Sequence, residues 1–424
     1  MKNLTQKFSK QFFGVGVRVV TLALFLIIFT AGTALAQIKA YVSNANDSFI
    51  SVIDTSTQTV VSNIPVGGFP DGLAVTPNGQ FIYVKNRSNG TVQVISTATE
   101  QIVASVPVGG SQGPIEISPN GALACYGDIS GTVSVINTAT NTLAAAIPTA
   151  AFSITSMAFT SNSASVYVGS LAGDLIIIDT ATNQVSATVN YGTGFPFGEF
   201  AAGVAITPDG ALAYVGVGSV FPITSAHISI LSTATNTEVG TIPNVVVSDF
   251  TPDGAFGYGT NLTNSAVTKL DTTTNTVVAT VPVTKAGRVF VSPDGTLAYT
   301  PDSFGNTVTA ISVAGNSVVA TIPVGILPQY IGFAVVDPVQ SLIAQIQAMV
   351  AAGTLTQNQG AGLIDKINQV IAKLDQDQTG AACNQLNAFI SQVNAFISSH
   401  ALTPSQGQPL IDGANGIKAS NGCP

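Results

Sequence analysis

One short phrase recurs seven times in this chain, about every forty residues. It begins at Asp54, Ser96, Asn137, Asp179, Ser232, Asp271 and Ser312, with spacings of 42, 41, 42, 53, 39 and 41 residues. The best-kept copies read Asn137-Thr-Ala-Thr-Asn-Thr and Ser232-Thr-Ala-Thr-Asn-Thr. A fixed period in this range belongs to solenoids, propellers and arrays, so it constrains architecture before any single residue does. It says much less about chemistry.

The flanking residues identify the repeating unit. Each phrase follows a β-branched run such as Thr91-Val-Gln-Val-Ile95 and precedes another such as Ile102-Val-Ala-Ser-Val106. Short runs of Val, Ile and Thr bounded by Asp, Asn and Gly read as strands. Asx and Thr side chains bond nearby backbone, and Asn tolerates positive φ, so the phrase is hairpin chemistry. A second turn recurs as Thr76-Pro-Asn-Gly79, Ser118-Pro-Asn-Gly121, Thr207-Pro-Asp-Gly210, Thr251-Pro-Asp-Gly254 and Ser292-Pro-Asp-Gly295, and has decayed to Ser161-Asn-Ser163 in the third repeat. Proline sets φ at the first corner and Gly supplies the left-handed exit. A Tyr-containing strand comes next: Tyr83-Val-Lys-Asn86, Tyr167-Val-Gly-Ser170, Tyr214-Val-Gly-Val217, Tyr258-Gly-Thr-Asn261 and Tyr299-Thr-Pro-Asp302, with Tyr41-Val-Ser-Asn44 as first copy and Cys125 at the Tyr position of the third repeat. Each period therefore holds four short strands, which is the blade of a propeller.

At these residues the chain resembles the YVTN-repeat, or YncE-like, β-propellers, which belong with the wider WD40-like repeat architectures. The resemblance spans roughly residues 38 to 336 and implies an all-β seven-bladed propeller with four-stranded antiparallel blades. The chain enters the repeats at Ile38 directly in a Tyr strand and leaves them at Gln329–Val335 in an inner strand with no blade to follow. These halves are expected to pair as a composite closing blade, which removes the sheet edges an open ring would expose.

The first 36 residues read as a signal peptide. Lys2, Lys7, Lys10 and Arg18 precede an apolar core from Val19 to Gly32, and Ala34-Leu35-Ala36 is a small-x-small cleavage site. Cleavage at Ala36/Gln37 would leave an exported chain, in the periplasm, at the cell surface or outside the cell, with no membrane span; the apolar core itself is short for one. Without the four leader cations the formal charge moves from −8 to −12. That balance repels phosphate backbones and disfavours nucleic acid. Charged residues make up only 8% of the chain, as suits strands packed between blades.

The propeller segment is expected to span 37–337. From residue 338 to 424 the hydrophobic period lengthens to 3.6 residues. Leu342, Ile343, Ile346 and Val350 share one helical face, as do Leu363, Ile364, Ile367, Val370 and Ile371, and Leu386, Phe389, Ile390 and Val393. Leu410 to Ile417 forms a short fourth helix, which makes a small bundle. The segment from Ala382 to Val393, with Leu402-Thr-Pro-Ser-Gln406, resembles the FIMAH-type module of bacterial exported proteins. Cys383 opens the third helix and Cys423 closes the chain, so an antiparallel helix pair would bring them together as a disulfide in an oxidising compartment. Asp375-Gln-Asp-Gln-Thr-Gly380 resembles the opening of a calcium loop, but its twelfth position is Leu386 rather than Glu.

Catalytic chemistry is hard to find. The two histidines, His227 and His400, lie in different segments, and no convergent acid, base and metal set is visible. No catalytic, cofactor or metal residue is read from the sequence, and a monomer is expected. A meander places the two repeated turns on one face and the variable loops on the other. The variable face receives the insertions Gly192–Phe200 and Gly218–Ser225, with Phe195, Phe197, Glu199, Phe200 and Phe221, together with Lys85, Arg87, Lys285 and Arg288. Variable loops on a rigid scaffold are where binding residues concentrate. These nine residues are the candidate contacts for a protein, peptide or glycan partner. Glu116 and Asp249, three residues before the Pro-Gly turn where other blades carry Ala or Phe, are candidates for the channel. The first reading is a non-enzymatic binding scaffold. The alternatives are a lactonase- or redox-type enzyme using the channel, or a structural component of a surface layer.

Overall fold

The computed structural model describes residues 37–192, 194, 199–218, 226–261, 266–374, 376 and 378–423. The leader, Phe195, Phe197, Phe221, Asp375 and Asp377 lie outside these residues. Within them, the fifth residue of every repeated phrase is left-handed: Gln58, Glu100, Asn141, Asn183, Asn236, Asn275 and Asn316 have φ between 48° and 56°. Asn is the residue that tolerates this region best after Gly, which explains why it recurs there. The second turn closes through Gly79, Gly121, Gly210, Gly254 and Gly295, all at positive φ. In the decayed copy of this turn, Ser161-Asn-Ser163, Ser163 takes the same conformation, at 61°.

These turns fold the repeats into seven sheets of four antiparallel strands. Blade 1 is composite. Its innermost strand, Pro328–Val336, pairs with the entering strand Gln37–Asn44, followed outward by Phe49–Asp54 and Thr59–Pro65. Tyr41 sits opposite Gly332 and Ile38 opposite Val335, so the closure is a full antiparallel ladder. Blades 2 to 7 occupy residues 70–107, 115–148, 154–190, 200–243, 246–282 and 290–323. Clusters such as Tyr167, Leu175, Val204 and Val215 fill the spaces between neighbouring blades. The outermost strands are free edges, and six of the seven end in Pro, which cannot extend a ladder.

The repeated residues are consumed in holding this shape. The second residue of the phrase donates its hydroxyl to the turn beside it: Thr97 to Gly79 O at 2.6 Å, Thr180 to Ser163 O at 2.7 Å and Thr272 to Gly254 O at 2.6 Å. The blade tyrosines reach across to the next blade. Tyr83 donates to Asn141 Oδ1 at 2.6 Å, Tyr214 to Asn275 Oδ1 at 2.7 Å, and Tyr167 to Asn236 Oδ1. The pattern closes around the ring where Gln58 Nε2 donates to the Tyr299 hydroxyl at 2.9 Å.

The chain leaves blade 1 on the repeated-turn face and enters four helices. These are α1 (Pro338–Ala351), α2 (Gln357–Leu374), α3 (Thr379–Ser398) and α4 (Pro404–Ser420). Asp337 caps α1 by accepting from Val339 N. The last helix begins six residues before Leu410 because Thr403 and Gln406 form a capping box and Pro404 fits the first turn. Leu342, Ile346, Leu363, Ile367, Leu386, Phe389, Leu410 and Ile417 form the bundle core. Leu386 is fully buried there, so the twelfth position of the calcium-like segment supplies no ligand. Cys383 and Cys423 are disulfide-bonded, with Cα atoms 5.6 Å apart. Ser341 and Gln345 of α1 donate to Ala98 O at 3.1 and 3.2 Å, which seats the bundle on a repeated turn of blade 2.

Candidate functional site in the channel and on the loop-rich face

The innermost strands surround a cavity of about 380 Å³. The residue opposite each blade tyrosine faces the ring at one level: Gly332, Ala74, Glu116, Ala158, Ala205, Asp249 and Phe290, with Glu116 opposite Cys125. Small residues at four of these positions leave room, Phe290 fills a fifth, and two carboxylates occupy the others. Asp249 is anchored: Oδ1 accepts from Phe250 N and Oδ2 from Val291 N, both at 2.8 Å, tying blade 6 to blade 7. Burial nevertheless pushes its carboxyl up to about 6, against those two hydrogen bonds. The carboxylate of Glu116 has no hydrogen-bond donor among the described residues. Enclosure in the channel pushes it up to about 7; the Arg288 charge opposes this and Asp249 adds to it.

Arg288, expected on the loop-rich face, instead lines the channel. It lies two residues before the inner strand of blade 7, with its guanidinium 5.8 Å from the Phe290 ring and 5.9 Å from the Tyr330 ring. Burial holds the Tyr330 hydroxyl up at about 12, opposed by the Arg288 charge. Lys85 is also displaced from the expected surface. It is fully buried, its ammonium donates to Gly109 O, and it lies 4.7 Å from the Tyr126 ring. Burial pushes its amine down to about 8, with Asp128 and Asp71 opposing. Asp71 is raised to about 6 by the same burial, against Arg87 and a bond from the Gly113 backbone. A lysine in this position braces the loop after blade 2 and offers nothing to a partner.

Of the remaining candidates, the described Arg87, Lys285, Glu199 and Phe200 stand on the loop-rich face. Arg87 donates to Ala45 O and lies 5.9 Å from the Phe69 ring. Lys285 is exposed, 4.2 Å from the Phe304 ring. Glu199 precedes the strand Phe200–Ile206, and its carbonyl accepts from Gly194 N at 3.2 Å. Phe200 opens that strand opposite Gly218. Phe195, Phe197 and Phe221 lie outside the described residues. The face carries other apolar groups that pattern reasoning passes over: Phe69, Phe152 and Phe304 are 48%, 58% and 79% exposed, and Ile326 is 50% exposed. Each stands in a loop between blades or after a Tyr strand. Their sequence signal was an aromatic residue inside a Gly, Pro or Ser loop, as in Gly67-Gly68-Phe69-Pro70.

No protein-family model and no curated protein matches the chain. Among solved structures it is similar to Kuenenia stuttgartiensis hydrazine synthase, with 22% identity and a TM-score of 0.57 over 65% of this chain and 92% of that one. It is also similar to a chain in a mitotic checkpoint complex, with 17% identity and a TM-score of 0.53 over 62% and 81%. At these identities the likeness is one of fold: the chain is a seven-bladed β-propeller. No cluster of three or more His, Cys, Asp or Glu side chains is placed to hold a metal ion among the described residues. No helix among them is long and apolar enough to cross a membrane.

Proposed function

We propose that this chain is an exported interaction scaffold of the YVTN-repeat type with a FIMAH-type helical module. It binds a protein, peptide or glycan partner through its loop-rich face and catalyses no reaction. Residues 1–36 are its export signal, 37–337 the propeller and 338–424 the accessory module.

The observation that carries this reading is an asymmetry between the two faces. On the repeated-turn face the Asn, Thr, Pro and Gly side chains and backbones are committed to turn geometry and to bonds between blades, and the bundle rests there. On the other face Phe69, Phe152, Phe304 and Ile326 stand in solvent. Large apolar side chains exposed on one face, in loops that vary from blade to blade, are candidates for interaction surface. Fully burying an exposed Phe side chain contributes about 1.5–3 kcal/mol, and these three, between 48% and 79% exposed, would each add part of that to an association. The disulfide between Cys383 and Cys423 suits a non-reducing compartment, in keeping with the leader.

The test is a retention experiment. Immobilised protein beginning at Gln37 is compared with its Phe69→Ser, Phe152→Ser, Phe304→Ser variant against cell-surface extract. A component held by the first and released by the second supports the reading. Equal retention by both removes it.

A further inference from the structure

We propose that the channel is a binding site for an apolar α-amino acid in its zwitterionic form. Arg288 takes the carboxylate, Glu116 the ammonium, and the small-residue ring the side chain.

Three features of the channel select this chemistry. First, Nη1 of Arg288 is buried and meets no acceptor among the described residues. The Phe290 and Tyr330 rings flank the guanidinium at 5.8 and 5.9 Å, and the Tyr330 hydroxyl shares its donors, which leaves Nη1 as the donor that a carboxylate would pair. Second, the Glu116 carboxylate lacks a donor, yet no ion pair joins it to Arg288 among the described residues. Two opposite charges thus face one cavity without contact, and a molecule carrying both charges completes each of them. Third, Asp249 is already satisfied by two backbone N–H groups, so the acidic demand of the site rests on Glu116 alone.

Other ligands fit less well. A metal ion would meet the Arg288 charge and one free carboxylate, which is too few oxygen ligands. A simple anion would meet Glu116, and a simple amine would leave Arg288 unpaired. A volume of about 380 Å³ is at the small end of ligand pockets, enough for an amino acid and little more. The site is separate from the loop-rich face, and its failure leaves the reading of that face untouched.

Isothermal titration of the purified protein with L-phenylalanine and L-leucine tests the proposal, with 3-phenylpropionate and phenethylamine as analogues that each lack one charge. The expected result is saturable binding of at least one amino acid, and at least tenfold weaker binding of each analogue than of L-phenylalanine. Glu116→Gln should erase the preference over 3-phenylpropionate, and Arg288→Gln the preference over phenethylamine. Thermal unfolding of each variant confirms that it is folded, and either variant alone suffices. The groups facing Glu116 are Arg288, Asp249, Tyr330 and, on the neighbouring strand, Cys125. Because the ammonium needs the ionised carboxylate, affinity should rise about tenfold from pH 6 to pH 8. No binding of either amino acid at millimolar concentration, or preferences that survive both substitutions, would overturn the assignment.

Discussion

The Tyr83 hydroxyl donates to Asn141 Oδ1 at 2.6 Å, from the second strand of one blade to the hairpin turn of the next. The two most recognisable residues of the repeat are thus partners across a blade boundary rather than within a blade. Where one partner is missing the other is orphaned. Cys125 replaces the tyrosine in blade 3, and Asn183 Oδ1 in blade 4 is buried without a donor. Glu100 in blade 2 accepts from Ser62 and pairs with Lys39 at 3.5 Å, leaving the Tyr41 hydroxyl buried and unpaired. The Tyr258 hydroxyl is likewise unpaired.

Tyr83→Phe should therefore destabilise the propeller by about 1–2 kcal/mol, because it strands Asn141 Oδ1 in the interior. Tyr258→Phe should cost much less, since its hydroxyl satisfies nothing. Urea unfolding of the two variants side by side measures the difference, and equal costs would show that the tyrosines act only through their rings.

Cys383→Ser should destabilise the helical bundle by about 4 kcal/mol in the chain-entropy account of a 40-residue loop. The propeller should be unaffected, because the bridge lies wholly within the bundle. Calorimetry that resolves the two transitions checks both halves. Peptide mapping without reduction should recover one linked pair, with Cys125 free.

Glu116 and Asp249 have carboxyl groups raised to about 7 and about 6, burial being the first cause in each. Folding therefore favours their protonated forms. The stability they contribute is complete below the ordinary carboxylate range and is lost as pH rises through about 6 to 7. Glu116→Gln is neutral at every pH, so it should raise Tm relative to the wild type at pH 8 and change it little at pH 4. A Tm gain that is the same at both values would contradict the assignment of the charge to burial.

The exposed phenylalanines should behave as surface. Phe152→Ser and Phe304→Ser should each change stability by no more than about 0.5 kcal/mol. A larger loss in thermal unfolding would make them part of the core and would remove the basis for the proposed binding face.

Protein recovered outside the cytoplasm should begin at Gln37, after Ala34-Leu35-Ala36. N-terminal sequencing reads this directly, and a retained Met1 in that fraction would contradict export by cleavage.

The blade count, the turn types and the ring closure were legible because they rest on local backbone demands. A left-handed corner needs Asn or Gly, and a composite blade follows from which strand the chain enters and leaves. The pairing of Tyr83 with Asn141 was hidden, because a repeat shows its period and not which copy meets which. Lys85 and Arg288 misled for a related reason. Lys85 stands two residues after the blade tyrosine, where other blades carry Ser43, Gly127, Gly169, Gly216, Thr260 or Pro301. Its burial depends on Tyr126 and the Gly109 carbonyl, which come from the next blade and the following loop. Arg288 precedes a two-residue inner strand, Phe290–Val291, so strand pattern did not show that it turns inward. The exposed Phe69, Phe152 and Phe304 sit in loops, where alternation has no meaning.

The central claim is that the partner meets the loop-rich face. Its most direct measurement is site-specific photo-crosslinking in producing cells, with the reactive side chain placed at Phe152 and Phe304 on that face, and at the exposed Ala181 on the repeated-turn face. Specific adducts from 152 and 304, with none from 181, are the predicted result. Adducts from 181 alone would contradict the account.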